Sequence, residues 1–298
     1  MCDIVESNAN LRTDEKLFFK FRSDNSYNID SLKNNYMYFT QPNQFRSQND
    51  DSDFSMNFDK NPTEEELKKY IKHGKNFPDF PYQNTKQVRR ALKRINILEF
   101  KYENKTFSQV YDELIQRYYV FCLTDTWQSK DLWEAECFGH NYEGFCIGYK
   151  ATLFELDHYG LSVKYEKPYF HDYAGKCLVT MPKVSYDNDG SHKYNFWGAF
   201  SSNPDVQKHN VNTITYNFLH KKPEYAQERE YRAWFYTTSG EDEHKVEYNP
   251  DLVSCVIFGM NCSQETIDSL VSELPRSNPN IKFYKQTIED DTISCTQI

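Results

Sequence analysis

Aromatic residues set the limits on this chain. Its 298 residues include 23 Tyr and 22 Phe, many of them in short apolar runs such as Leu17-Phe-Phe-Lys-Phe-Arg22, Tyr118-Tyr-Val-Phe-Cys-Leu123, Gly144-Phe-Cys-Ile-Gly-Tyr149 and Val253-Ser-Cys-Val-Ile-Phe258. Runs of this length bounded by polar residues read as strands, and none reaches the eighteen or so apolar residues that a membrane span needs. The mean hydropathy of -0.84 understates what such a chain can bury, because Tyr scores as polar yet carries a large ring.

Helical signals alternate irregularly with these strands. Ser26 is placed to cap a short helix carrying Ile29 and Leu32, which Asn34-Asn35 would end before a strand over Tyr36–Thr40. Thr63-Glu-Glu-Glu66 is a capping box opening a helix to His73, with Gly74 as its stop. A basic helix is expected from Thr85 to about Leu98, and another near Phe107–Gln116. Ser263 caps an amphipathic helix with Ile267, Leu270, Val271 and Leu274 on one face and Pro275 after it. Further strands are expected at Val163–Tyr165, Arg232–Thr237 and Ile281–Tyr284. Without βα alternation or a flexible linker, the expectation is a single α+β domain over 1–298 with a mixed or mainly antiparallel sheet. A helical insertion at about 46–108 and a loose C-terminal tail at 289–298 complete it.

Net charge is -9 with a pI near 5.5, which argues against a broad electrostatic surface for nucleic acid. The stretch from Lys86 to Lys101 is the one local basic feature that could meet it, although charged helix faces are commonly just solvated. The eight Cys fall in no Cys-x-x-Cys pair, so no metal is expected, and most read as buried reduced thiols. The N-terminus lacks a basic segment followed by an apolar run, so a cytoplasmic protein with no membrane contact is expected. Nucleophile-elbow, Walker and Gly-x-Gly-x-x-Gly motifs do not occur.

Several runs resemble the bacterial domain-of-unknown-function family 2971. They are Phe19-Lys-Phe-Arg-Ser23, Met37-Tyr-Phe-Thr-Gln-Pro42 with Phe45 beyond, Cys122-Leu-Thr124, Trp133, Gly144-Phe-Cys-Ile-Gly148, Glu228-Arg-Glu-Tyr-Arg232 and Val256-Ile-Phe-Gly259. The match covers roughly 17–45 and 119–288. It departs where the family's Asn-Asp is displaced to Asn49-Asp50, and where Glu136 replaces a Tyr. An Arg ending a first strand, a hydroxyl on a middle strand and Glu-x-Glu on a late one also look like the ADP-ribosyltransferase pattern. That resemblance implies NAD as co-substrate and an acceptor that is protein or nucleic acid, in a toxin or phage-defence setting.

What the resemblance implies residue by residue follows from the chemistry. Cleaving the nicotinamide–ribose bond passes through an oxocarbenium-like species, as glycoside hydrolysis does. It calls for a carboxylate beside the ribose and a cation on the diphosphate. Glu230 would be the catalytic carboxylate and Glu228 would prepare the acceptor. Arg22, with Ser23, Thr124 and Trp133, would hold the cofactor. On a strand Glu228 and Glu230 would project together, with Arg232 next on that face. The same residues fit a solvent-facing salt-bridged strand, and Trp133 fits a core. A non-catalytic binding module and an NAD glycohydrolase therefore stand beside the transferase.

Overall fold

The computed structural model describes residues 11, 15–42, 44, 57–58, 61–102, 104–151, 161–162, 182–187, 193–200, 205–206, 213–214, 217–236 and 245–298. The polar stretch at 46–53 and the strand expected at 163–165 lie outside them.

The chain divides into two compact units, one formed by residues 1–40, 119–184 and 224–298, the other by 41–118 and 185–223. The expected insertion at 46–108 is thus part of a larger second unit, which draws in a later segment as well. Its helices are α2 (Glu64–Gly74), α3 (Thr85–Leu92) and α4 (Phe107–Ile115), numbered after α1 (Ser26–Lys33) of the first unit. Thr63 and Glu66 form the expected capping box on α2. Leu67, Tyr70, Val88, Phe107 and Trp197 centre its core. The basic helix is shorter than its pattern suggested. It ends at Leu92 with Lys93 as its C-cap, and Ile97–Glu99 form a separate 3-10 turn. Val88 is the one residue of α3 buried, so little apolar area holds a longer helix down.

The first unit is built on a seven-stranded sheet, helices accompanying a mainly antiparallel arrangement as an α+β fold requires. In chain order its strands are β1 (Leu17–Arg22), β3 (Tyr118–Thr124), β4 (Phe145–Lys150), β5 (Glu230–Tyr236), β7 (Val253–Phe258), β8 (Lys282–Glu289) and β9 (Thr292–Gln297). They lie in the order β5-β3-β1-β4-β7-β8-β9. Strand β7 runs parallel to β8, and the helix between them, α6 (Gln264–Glu273), supplies the crossover that a parallel pair needs. A smaller sheet sets β6 (Lys245–Tyr248) between β2 (Tyr36–Tyr38) and residues 161–162.

Both faces of the large sheet are covered, which is why its strands read as near-continuous apolar runs. Leu17, Phe19 and Phe21 face a layer with Trp127, Trp133, Cys146 and Ile257. Phe18 faces the other, with Phe121, Ile147, Tyr149 and, from α6, Ile267 and Leu270. Gly148 is required where β4 passes β7, since a Cβ there would lie 2.6 Å from the Cys255 sulfur.

Two local readings change. Asn25, not Ser26, caps α1, its side chain accepting from the Asn28 amide at 2.9 Å. The expected loose tail is instead β9, paired with β8 from Tyr284↔Gln297 to Glu289↔Thr292. Asp290 and Asp291 turn the corner with φ of 48° and 60°, the left-handed pair that a two-residue hairpin demands. An Asp-Asp turn is a weaker signal than Asn-Gly, and the acidic composition masked it.

Candidate active site

Arg22, Ser23, Thr124, Trp133, Glu228 and Glu230 belong to the first unit, and the basic stretch from Lys86 to Lys101 to the second. Strands β5, β3 and β1 are consecutive in the sheet, so Glu230, Thr124 and Arg22 stand on three strands side by side. Strand β3 intervenes between the other two. The β1–β3 ladder consists of one pair, Phe19↔Thr124, while Val120 of β3 bonds Thr40 instead, at 2.8 and 2.9 Å. The two strands therefore part toward Arg22.

Lys20 and Arg22 leave β1 beside that parting. Both cations lie over the Phe121 ring, at 5.0 and 5.6 Å from its centroid, and neither side chain makes a hydrogen bond or ion pair among the described residues. Burial, then the neighbouring Arg22, lowers the Lys20 ammonium to about 8, against pulls from Cys122, Glu230 and Cys137 in the other direction. Burial also lowers Arg22, opposed by Tyr149, Tyr27 and Tyr248. Burial raises Tyr149, Tyr248, Cys122 and Cys137 in turn, Tyr149 being pushed up to about 12. Among the groups acting most on the two cations, Glu230 is the one carboxylate.

Glu230 and Arg232 are buried, and Arg232 donates to both carboxylate oxygens, Nε–Oε1 at 2.8 Å and Nη2–Oε2 at 2.9 Å. The solvent-facing version of this strand is thereby excluded. Phe18 meets Tyr231 at 4.8 Å, so alternation along β5 turns Glu230 and Arg232 from the Phe18 side, where Arg22 starts. Lys20, absent from the motif reading, is the cation coupled to both Arg22 and Glu230.

The remaining expected residues divide sharply. Thr124 is buried beside this cluster, and its Oγ1 accepts from the Thr126 amide at 3.3 Å. It thereby shapes the turn that delivers Asp125, a buried carboxylate whose Oδ1 lies 2.6 Å from Arg229 Nε as an ion pair. Glu228 does not project with Glu230. It ends a 3-10 turn over Pro223–Glu228, and Arg229, at φ 49°, breaks the alternation between them. Ser23 serves the entry to α1, its Oγ accepting from Asn25 and Asn28 side-chain amides at 2.9 and 3.1 Å. Trp133 is no cofactor platform, because it is fully buried, edge-on to Phe21 at 4.9 Å, with Nε1 donating to the Trp127 carbonyl at 2.8 Å.

Strain concentrates beside Arg22. His140, Asn141 and Tyr142 are three successive residues with φ of 49°, 52° and 65°, a run that L residues avoid at about 1–2 kcal/mol each. Hydrogen bonds over-determine it. Tyr142 donates its amide to the Trp133 carbonyl at 3.0 Å and accepts there from the Asn261 amide at 3.0 Å. The turn delivers Gly144 so close to the Arg22 carbonyl that any Cβ would collide with it.

Lys20 and Asp125 were missed from sequence, while the Glu230–Arg232 salt bridge was expected on a solvent-facing strand and lies buried instead. Lys20 had a signal, being a charge inside an otherwise apolar strand. Among the described residues no group of His, Cys, Asp and Glu is arranged to hold a metal ion, and no helix is long and apolar enough to cross a membrane. Comparison with family models, curated proteins and solved structures finds no match.

Proposed function

We propose that this chain cleaves the nicotinamide–ribose bond of NAD and transfers ADP-ribose to an acceptor. The observation that supports the reading is the side-by-side order of β5, β3 and β1, with Glu230 and Thr124 both buried on adjacent strands. In the reaction the C1′–N bond breaks and its electron pair leaves on the nicotinamide nitrogen. The lone pair of an acceptor then forms the new bond at C1′, and the acceptor loses a proton. Glu230 stabilises the positive charge that develops on the ribose, as preorganised charge does elsewhere. Arg232 orients the carboxylate by donating to both of its oxygens. With water as acceptor the same site is a glycohydrolase.

A second reading is a binding module without chemistry. The Arg232 clasp favours it, since a carboxylate held at both oxygens also serves a purely structural purpose. Incubating the wild type with NAD labelled in the adenylate half, with and without cell lysate, decides between them. Adenylate label that becomes attached to lysate macromolecules, and no longer does so with Glu230→Gln or with the fold-preserving pair Glu230→Gln/Arg232→Met, supports transfer. Wild-type protein that binds NAD without releasing nicotinamide is a module.

A further inference from the structure

One stretch of the second unit carries charge opposite to that of the whole chain. The net charge is -9, yet from Lys68 to Arg94 nine cations meet a single carboxylate, Asp79. The stretch spans α2 and α3, so the basic feature is wider than the residues 86–101 expected from sequence. Lys68, Lys72 and Lys75 recur at i, i+4 and i+7 along α2 and its C-cap, all exposed, opposite the face that buries Leu67, Tyr70, Ile71 and Gly74. Lys86, Arg90 and Lys93 repeat that spacing along α3 and its C-cap, exposed and opposite the buried Val88. Among the described residues none of these six makes an ion pair or hydrogen bond, the pairs present being Lys69–Glu65 at 2.8 Å and Arg89–Glu64 at 3.1 Å. The second of these pairs fixes where the two stripes lie. Glu64 stands one turn ahead of Lys68 on the α2 stripe, and Arg89 falls between Lys86 and Lys93 on the α3 stripe. Their bond therefore sets the stripes edge to edge on one surface. Hydrogen bonds from Arg89 and then Thr85 hold the Glu64 carboxyl below its usual range, which keeps this joint charged.

Helix stability accounts for part of this pattern only. Lys75 and Lys93 complement the C-terminal ends of their helices. Lys86 does the reverse, standing in the first turn of α3, where no acidic residue offsets it. Lys68 with Lys72, and Lys86 with Arg90, are like-charge pairs at i and i+4, a spacing that destabilises a helix. A partner bringing negative charge relieves all of these repulsions together. We propose that this two-helix surface binds the phosphate backbone of a nucleic acid. Each cation neutralises a phosphate and releases its counterions. Cations repeating once per turn, about 5–6 Å apart, position a backbone and carry no base readout, so binding is without sequence preference. An anionic membrane fits less well, because Val88 packs with Leu67 and Tyr70 in the core of the unit and leaves α3 no apolar face to insert. The proposal concerns the second unit and stands whether or not the first cleaves NAD.

The test is fluorescence anisotropy of labelled mixed-sequence oligonucleotides, as single-stranded RNA, single-stranded DNA and duplex DNA, titrated with the full chain. Binding to any of the three is expected, and raising salt from about 50 to 200 mM should weaken it roughly a hundred- to a thousandfold, as four to six phosphate contacts require. Lys72→Glu/Arg90→Glu, one exposed cation from each stripe, should bind at least tenfold more weakly and with a shallower salt dependence, while melting as the wild type does. Lys130→Glu/Lys245→Glu, which changes net charge equally on the first unit, should bind as the wild type does. Glu230→Gln should also bind normally, which separates this surface from the catalytic reading. Equal losses in the two charge-reversed proteins, or no binding by the wild type at the lower salt, overturns the proposal. So does polyglutamate bound as tightly as the oligonucleotides, since that assigns the surface to an acidic protein.

Discussion

Arg232 grips Glu230 from two residues along the same strand, with bonds of 2.8 and 2.9 Å to the two carboxylate oxygens. Removing either partner strands a buried charge, at a cost of about 3–5 kcal/mol. Glu230→Ala and Arg232→Met should each fall by that much in urea denaturation. The double replacement Glu230→Leu/Arg232→Met should recover most of the loss. Single variants no less stable than the double would show that the clasp does not hold β5.

Lys20→Met should stabilise the protein. The folded ammonium titrates near 8, below its unfolded value, so the unfolded chain binds the proton more readily and stability rises with pH between the two. The penalty is full below pH 8 and vanishes above about pH 10.5. At pH 7 the gain should be about 1–3 kcal/mol, allowing for partial exposure. A melting difference that stays constant from pH 7 to 10.5 would contradict this.

Gly148→Ala should destabilise by about 1–3 kcal/mol, the usual cost of overpacking. The new methyl would meet the Cys255 sulfur at 2.6 Å and Phe19 at 3.2 Å. Adding Cys255→Ala should return part of the loss in denaturant titration.

The sheet was legible because its strands are covered on both faces, and residues such as Phe19 and Phe121 announce burial by chemistry alone. The caps at Thr63 and Ser263 were legible for a local reason, since each satisfies amides within one helical turn. Partner choice was not. Nothing around Glu230 distinguishes a carboxylate held by Arg232 from one offered to solvent, because that depends on which strand covers which. Thr124 and Arg22 could be ordered along the chain, but the loss of pairing beyond Phe19↔Thr124 is a property of two strands together. Lys20 went unnoticed because a lysine in a strand is ordinarily an edge residue. The Glu228–Glu230 alternation failed at one dihedral, that of Arg229.

The left-handed run at His140, Asn141 and Tyr142 gives this loop an unusual substitution profile. Glycine ordinarily weakens ordered structure by widening the unfolded ensemble, but at 140 and 141 it would relieve more than it costs. Tyr142 cannot follow, because its hydroxyl bonds Glu134 at 3.1 Å and its ring stacks 6.2 Å from Trp133. A saturation library over these three positions, sorted for folded protein, should therefore enrich glycine at the first two and reject it at the third. The loop ahead of β4 would then read, to anyone comparing variant sequences, as Gly-Gly-Tyr: a backbone requirement written beside a side-chain one.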